Sequence, residues 1–170
     1  MKKWKTYILS FIWGPLLLTQ YLLVFVFQIF NKAGNDIVLY LGWIIWAHSF
    51  VFGWLPIYVL KKKGGVVKRK SYVNTSILVK SGIYSVIRHP QYTAGILFSL
   101  ALILISQNLL ILVMGLVVIP LLYWDIVMAD EHEINKFGDE YKQYMKEVPR
   151  TNFLLGIIRL LRKQKTTCNY

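Results

Sequence analysis

The stretch that decides the fold is Gln91–Trp124, QYTAGILFSLALILISQNLLILVMGLVVIPLLYW, which holds no Lys, Arg, Asp or Glu. A helix rising about 1.5 Å per residue crosses roughly 30 Å of hydrocarbon in about 20 residues, so this run is long enough for more than one passage. Its polar interruption, Ser106-Gln107-Asn108, reads as a tight turn between two antiparallel helices over 92–106 and 109–128. The first is short for a perpendicular crossing, and is expected to end below the far headgroups or to be sheltered by neighbouring helices.

Working outward, Ile8–Phe30 is free of formal charge, and Ile37–Leu60 has only His48 and tyrosines as titratable groups. Both read as spans, 8–30 and 37–60. The hydrophobic share of 56% is more than a soluble core of this length can bury, so much of it must face lipid. The basic start Lys2, Lys3 and Lys5 resembles a signal peptide, but the apolar run behind it is too long and no small-residue cleavage site follows. The fold class expected is all-α: an integral membrane helical bundle of about four spans with cytoplasmic C-terminal amphipathic helices, in a single domain over 1–170. Within the spans His48 reads as a helix-helix hydrogen-bonding residue, and Asp125 sits at the cytoplasmic end.

Charge gives the orientation. Of 20 Lys and Arg residues, three precede the first span, eight lie from Lys61 to Arg88, eight follow the last span, and Lys32 alone falls in the opposite loops. This asymmetry places both termini in the cytoplasm, in what is expected to be a prokaryotic cell membrane. The clusters Lys61-Lys62-Lys63 and Lys68-Arg69-Lys70 suit an anionic leaflet, so membrane lipids rather than nucleic acid are the partners expected. The single Cys168 offers no internal disulfide and completes no metal motif.

Polar residues concentrate in two cytoplasmic segments, about 69–92 and 129–150, that the hairpin returns to one side of the membrane. In the first, Pro90 suits the opening turn of a helix, leaving Arg88 and His89 at its mouth, where exposed N–H groups favour an anion. Tyr92 follows on nearly the same face. Read singly, Arg88 suits headgroups, His89 local bonding and Tyr92 an aromatic belt. In the second segment Asp130, Glu131 and Glu133 read either as a solvated first turn of a helix or as a carboxylate for ribose hydroxyls or an ammonium. His132 among these acids lacks a second histidine at helical spacing, so no metal is expected. The pattern over Glu133–Glu147 is one amphipathic helix in which Tyr141 and Tyr144 read as packing residues, and the tail 151–170 reads as an interfacial anchor.

Together these segments resemble the isoprenylcysteine carboxyl methyltransferase family, with which phospholipid methyltransferases share much of the pattern. The first block is Leu78-Val79-Lys80-Ser81-Gly82-Ile83-Tyr84 with Arg88-His89-Pro90-Gln91-Tyr92. The second is Phe137-Gly138-Asp139-Glu140-Tyr141-Lys142-Gln143-Tyr144 with Val148-Pro149-Arg150. The resemblance implies an S-adenosylmethionine-dependent methyltransferase whose lipidic or hydrophobic acceptor, presenting a carboxylate, amine or thiol, arrives from the bilayer. It implies that Ser76, Ile77, Leu78, Val79, Tyr84, His89 and Tyr92 line the cofactor, completed by an acid such as Asp130 or Glu131, with Arg88 and His89 as the catalytic pair. The sequence departs from the family's paired glutamates, matched here only after a slip of one or two residues. It also carries Asp125 where the family places an arginine tied to its carboxylate substrate. Two rival readings are a steroid-reductase-like enzyme using NADPH, which shares an arginine-x-proline-x-tyrosine element, and a four-span transporter or scaffold without chemistry.

Overall fold

The computed structural model describes residues 4–31, 34–66 and 71–167. Lys2, Lys3, Lys32, the Lys68-Arg69-Lys70 run and Cys168 lie outside the described residues. The elements are α1 (Trp4–Phe25), α2 (Asp36–Lys63), a 3-10 turn (Gly82–Ser85), α3 (Pro90–Ser106), α4 (Leu109–Phe137), α5 (Asp139–Glu147) and α6 (Phe153–Thr167). No strand occurs among the described residues, so the protein is all-α. Ile8–Phe25, Asp36–Lys63 and Leu109–Phe137 are long and apolar enough to cross a membrane, and Pro90–Ser106 is a shorter apolar helix. At 17 residues α3 reaches about 26 Å, less than the hydrocarbon thickness. As expected, three apolar helices are of full spanning length and the helix after Pro90 is short.

The chain divides into two compact units, Met1–Val51 with Tyr92–Asp130 and Phe52–Gln91 with Glu131–Tyr170. In the first, α1 ends at Phe25 rather than Phe30, although the residues between remain apolar. The reason lies at the end of α3. Ser106 donates its hydroxyl to the Ile29 carbonyl at 2.5 Å, and the Asn31 amide donates to the Ser106 carbonyl at 2.9 Å. Leaving the helix lets 26–31 pair with a helix C-terminus whose carbonyls lack intrahelical partners. The turn expected at 106–108 is present: Gln107 takes a left-handed φ of 50° and exchanges side-chain bonds with the Asn35 backbone at 2.7 and 2.8 Å. Asn35 and Asn108 cap the helices that follow them, accepting from Ile37 and Leu110 at 2.9 Å each.

Polar residues also organise this unit's interior. Gln20 is fully buried; its amide donates to the Ile111 carbonyl at 3.1 Å and accepts from the Ser99 hydroxyl at 2.9 Å, joining α1, α3 and α4. Asp125, also fully buried, accepts from Ser10 and the Trp13 indole at 2.8 Å each. Val24, Leu102, Ile105 and Ile111 form a buried apolar cluster in the same unit. His48, expected to bond a neighbouring helix, is exposed and bonds the carbonyl of Ile44 on its own helix at 2.8 Å. One turn back along its own helix a carbonyl is always within reach, so the ring needs no partner from elsewhere.

In the second unit α4 runs on to Phe137 instead of ending near 128, so Asp130, Glu131 and Glu133 lie within a helix and not in a first turn. The single amphipathic helix expected over 133–147 is two, because Gly138 adopts φ 59°, a left-handed conformation that only glycine takes without strain. α5 then carries Tyr141 and Tyr144 into a cluster with Val148, backed by Leu78, Ile134 and Phe137. A second cluster joins Val59 on α2 to Val79, Ile83 and Tyr84. α6 packs close at Gly156, where a Cβ would collide with the Val86 carbonyl, and Phe153 meets Phe52 with ring centroids 5.5 Å apart.

Replacing Gln20 by Met keeps the volume but removes both helix-linking bonds. In a thermal denaturation cycle with Ser99→Ala, the coupling between the two positions is expected near 0.6 kcal/mol, about the average for interhelical bonds in membranes.

Candidate functional site

The 3-10 turn and the residues that lead into α3 set one wall of the candidate site. Gly82 starts the turn with φ 65°. Beyond it Arg88 and His89 are buried, 9% and 8% exposed. Their backbone amides lie outside any helix and must still find partners. Arg88 donates its N–H to the Pro149 carbonyl at 3.0 Å, and His89 donates to the Arg150 carbonyl at 3.2 Å. The two sequence segments that resemble family signatures are therefore joined directly, residue to residue.

α5 reinforces this strap with side chains. The Tyr141 hydroxyl lies 3.3 Å from His89 Nε2, and the Tyr144 hydroxyl donates to the Tyr84 carbonyl at 2.5 Å. The Arg88 guanidinium carbon is 6.0 Å from the centre of the Tyr141 ring, within cation-π range. Tyr141 and Tyr144 do pack in the core, as their spacing suggests, and their hydroxyls also orient the histidine and the turn. Their i, i+3 spacing signalled the buried face but not the polar ends.

The segment Ser76–Val79 is held by its backbone. The amides of Ser76 and Ile77 both donate to the Gly64 carbonyl, at 2.9 and 3.2 Å, and the Ser76 hydroxyl donates to the Gly65 carbonyl at 2.8 Å. Val79 points into the core beside Tyr84, Leu78 packs on the tyrosines of α5, and Ile77 is exposed.

The acids expected to complete the site differ in their surroundings. Glu131 is exposed and Glu133 half-buried. Burial pushes the Tyr84 phenol well above its ordinary value, and the charges of Tyr72 and Glu133 push it further. Glu133 is thus the smallest of the three influences on Tyr84, and nothing in their sequence separation of 49 positions signals it. Tyr72, in turn, accepts from the Gln91 amide at 3.2 Å. Farther along, Glu140 pairs with Lys80 at 2.7 Å. Asp139 is fully exposed, and its hydrogen bond from Lys142 holds its carboxyl below the usual range. Tyr92 and Asp130 belong to the first unit. There Tyr92 meets Trp13 edge-on at 6.4 Å, and Asp130 is buried.

Chemically, the second unit thus gathers a buried guanidinium, an imidazole, a phenol kept neutral and a half-buried carboxylate. This set suits a ligand bearing both an anionic and a cationic group.

Known proteins share part of this sequence. The family model for phospholipid methyltransferases matches residues 37–140. The chain is also 32% identical over 74 residues to the Protein-S-isoprenylcysteine O-methyltransferase of Schizosaccharomyces pombe (strain 972 / ATCC 24843); the alignment covers 43% of this chain and 31% of that protein. The chain thus matches about a third of the length of this curated relative. No solved structure matches.

The Tyr84 phenol has a measurable signature. Its raised pKa means that the folded state holds the proton more tightly than the unfolded chain does. The stabilisation is complete below the unfolded value, about 10, and declines as pH rises beyond it. In an ultraviolet titration, phenolate absorbance from pH 9 to 11 is expected to be the same in the wild type and in Tyr84→Phe; a smaller signal in the variant would contradict this burial.

Proposed function

Because this chain belongs to the phospholipid methyltransferase family, we propose that it transfers the methyl group of S-adenosylmethionine to a lipidic or hydrophobic acceptor held in the bilayer. The observation that carries this reading is the strap that fixes Arg88 and His89 on the carbonyls of Pro149 and Arg150. It gathers the groups of the two family-like segments in one unit.

The residues present fit the cofactor's chemistry. S-adenosylmethionine carries a carboxylate, an ammonium, a ribose and a sulfonium. Arg88, buried and cationic, suits the carboxylate. Glu133 suits the ammonium or the ribose hydroxyls better than Glu131, because it is half-buried and Glu131 is exposed. The aromatic faces of Tyr84 and Tyr141 suit the sulfonium, which is attracted to π-systems as other cations are. The edge formed by Ser76, Ile77, Leu78 and Val79 offers a backbone already fixed at Gly64 and Gly65, so binding would order little chain. His89, oriented by Tyr141, is the positioning residue at the centre.

When bound, the cofactor supplies a methyl group already activated for displacement. The protein's task is then alignment and exclusion of water, and no covalent enzyme intermediate is needed. Arg88 and His89 do this work from buried positions, where electrostatic interactions are stronger than in water. The uneven distribution of Lys and Arg supports a cytoplasmic location for both termini and for this unit. It would place the site where the soluble cofactor is available, while the apolar helices give a lipid acceptor its path.

Calorimetric titration of the detergent-purified chain is expected to show saturable binding of S-adenosylmethionine and S-adenosylhomocysteine but not of NADPH. Binding of NADPH alone would replace this reading with a reductase. Loss of binding is expected in His89→Ala with membrane insertion intact, and Glu133→Gln is expected to weaken affinity more than Glu131→Gln. Tyr141→Phe removes only the hydroxyl beside His89 and should cost roughly 2- to 10-fold in affinity, the worth of one hydrogen bond. Once the cofactor is established, a screen of carboxylate, amine and thiol lipids would identify the acceptor.

A further inference from the structure

A groove of about 370 Å³ opens between α5 and α6, and its lining residues Met145 and Val148 also pack with Tyr141 and Tyr144. Its floor includes Val148, Leu155 and Ile158, and its titratable lining residues, Lys146, Arg159 and Arg162, are all basic. Arg159 Nη2 donates to the Lys146 carbonyl at 3.2 Å. That bond uses one of the five N–H donors of a guanidinium. Glu147, beside Lys146 in sequence, is itself ion-paired with Lys163 at 3.6 Å.

α6 extends the same pattern beyond the groove. Leu154, Leu155, Ile157, Ile158 and Leu161 are all between 44% and 61% exposed, and the basic Arg159, Arg162 and Lys163 follow in the same helix. A helix with exposed apolar and cationic residues takes its place at a membrane interface, where tails and headgroups satisfy both.

We propose that this groove binds one anionic phospholipid of the surrounding bilayer, with its phosphate on Arg159, Arg162 and Lys146 and its first methylenes on Leu155 and Ile158. The volume falls in the roughly 300–1,000 Å³ range of small-ligand sites, enough for a headgroup and the start of a chain. Charge selects the occupant, because a zwitterionic headgroup would bring its ammonium against three cations. The apolar floor favours an amphiphile over a soluble anion. An occupant would also brace Val148 and Pro149, the second of which holds the Arg88 amide. This lipid site stands on the groove alone and does not depend on methyl transfer.

The test uses the full chain in detergent, loaded with equal phosphatidylglycerol and phosphatidylcholine, washed, and assayed for retained lipid by mass spectrometry. Phosphatidylglycerol is expected to be retained roughly tenfold over phosphatidylcholine, and the excess to vanish in the double variant Arg159→Gln, Arg162→Gln, as expected for two cations near an anionic headgroup. The charge-preserving pair Arg159→Lys, Arg162→Lys is expected to keep it. So is Lys61→Gln, Lys62→Gln, which removes charge at the end of α2. Full retention by the glutamine pair, or equal loss in the Lys61 and Lys62 variant, would overturn the site. Displacement by millimolar inorganic phosphate would assign the groove to a soluble anion instead and would likewise overturn it.

Discussion

Two backbone hydrogen bonds, from Arg88 to Pro149 and from His89 to Arg150, tie the segment before α3 to the segment after α5, and the second unit depends on them. Both amides precede α3 and gain nothing from its helical ladder, and both residues are buried, so leaving them unpaired would cost about 1–3 kcal/mol each. Val148 adopts an extended conformation, with φ −121° and ψ 129°, which takes the chain out of α5 and turns its next carbonyls toward these donors. Pro90 accounts for the other side: its missing N–H allows a helix to begin immediately after His89 without a further donor to satisfy. The hydroxyls of Tyr141 and Tyr144 add two more bonds to the same pair of segments. Four contacts then oppose any separation of the imidazole from α5.

The first unit meets the opposite problem, holding polar side chains in an apolar bundle. Gln20 uses its donor on Ile111 and its acceptor on Ser99, and Asp125 draws donors from both Ser10 and Trp13. Lipid offers no competing hydrogen bonds, so such contacts select one helix arrangement even though each adds only modest stability. Apolar contact among Val24, Leu102, Ile105 and Ile111 fills space without choosing a register.

How much of this was legible depended on whether a residue's neighbours lay nearby in sequence. The turn at Ser106–Asn108 and the apolar extents of α2 and α3 follow from composition and spacing alone. The end of α1 does not, because Phe27–Phe30 is as apolar as the helix before it, and the chain leaves the helix to meet Ser106, far along the sequence. The break at Gly138 was written in a residue that permits φ 59°, yet the charged, amphipathic pattern runs straight across it. His48 was misread because polarity within a span suggests a distant partner, whereas a carbonyl four residues back was sufficient. Gln20 carries no charge, so charge does not distinguish it from the apolar residues around it.

The acids of α4 show how structure separates residues that sequence leaves equivalent. Asp130, Glu131 and Glu133 fall within four consecutive positions of one helix and so cannot all face the same way at about 100° per residue. Asp130 is buried within the first unit, Glu131 is exposed, and Glu133 is half-buried and raises the Tyr84 pKa. A carboxylate that can be felt by a buried phenol is not fully screened by water. The phenol responds in the complementary way, staying protonated and hence neutral, so that it presents a π-face without adding a second negative charge. The neutral phenol and the half-buried carboxylate thus stand in one unit with the buried Arg88 and His89.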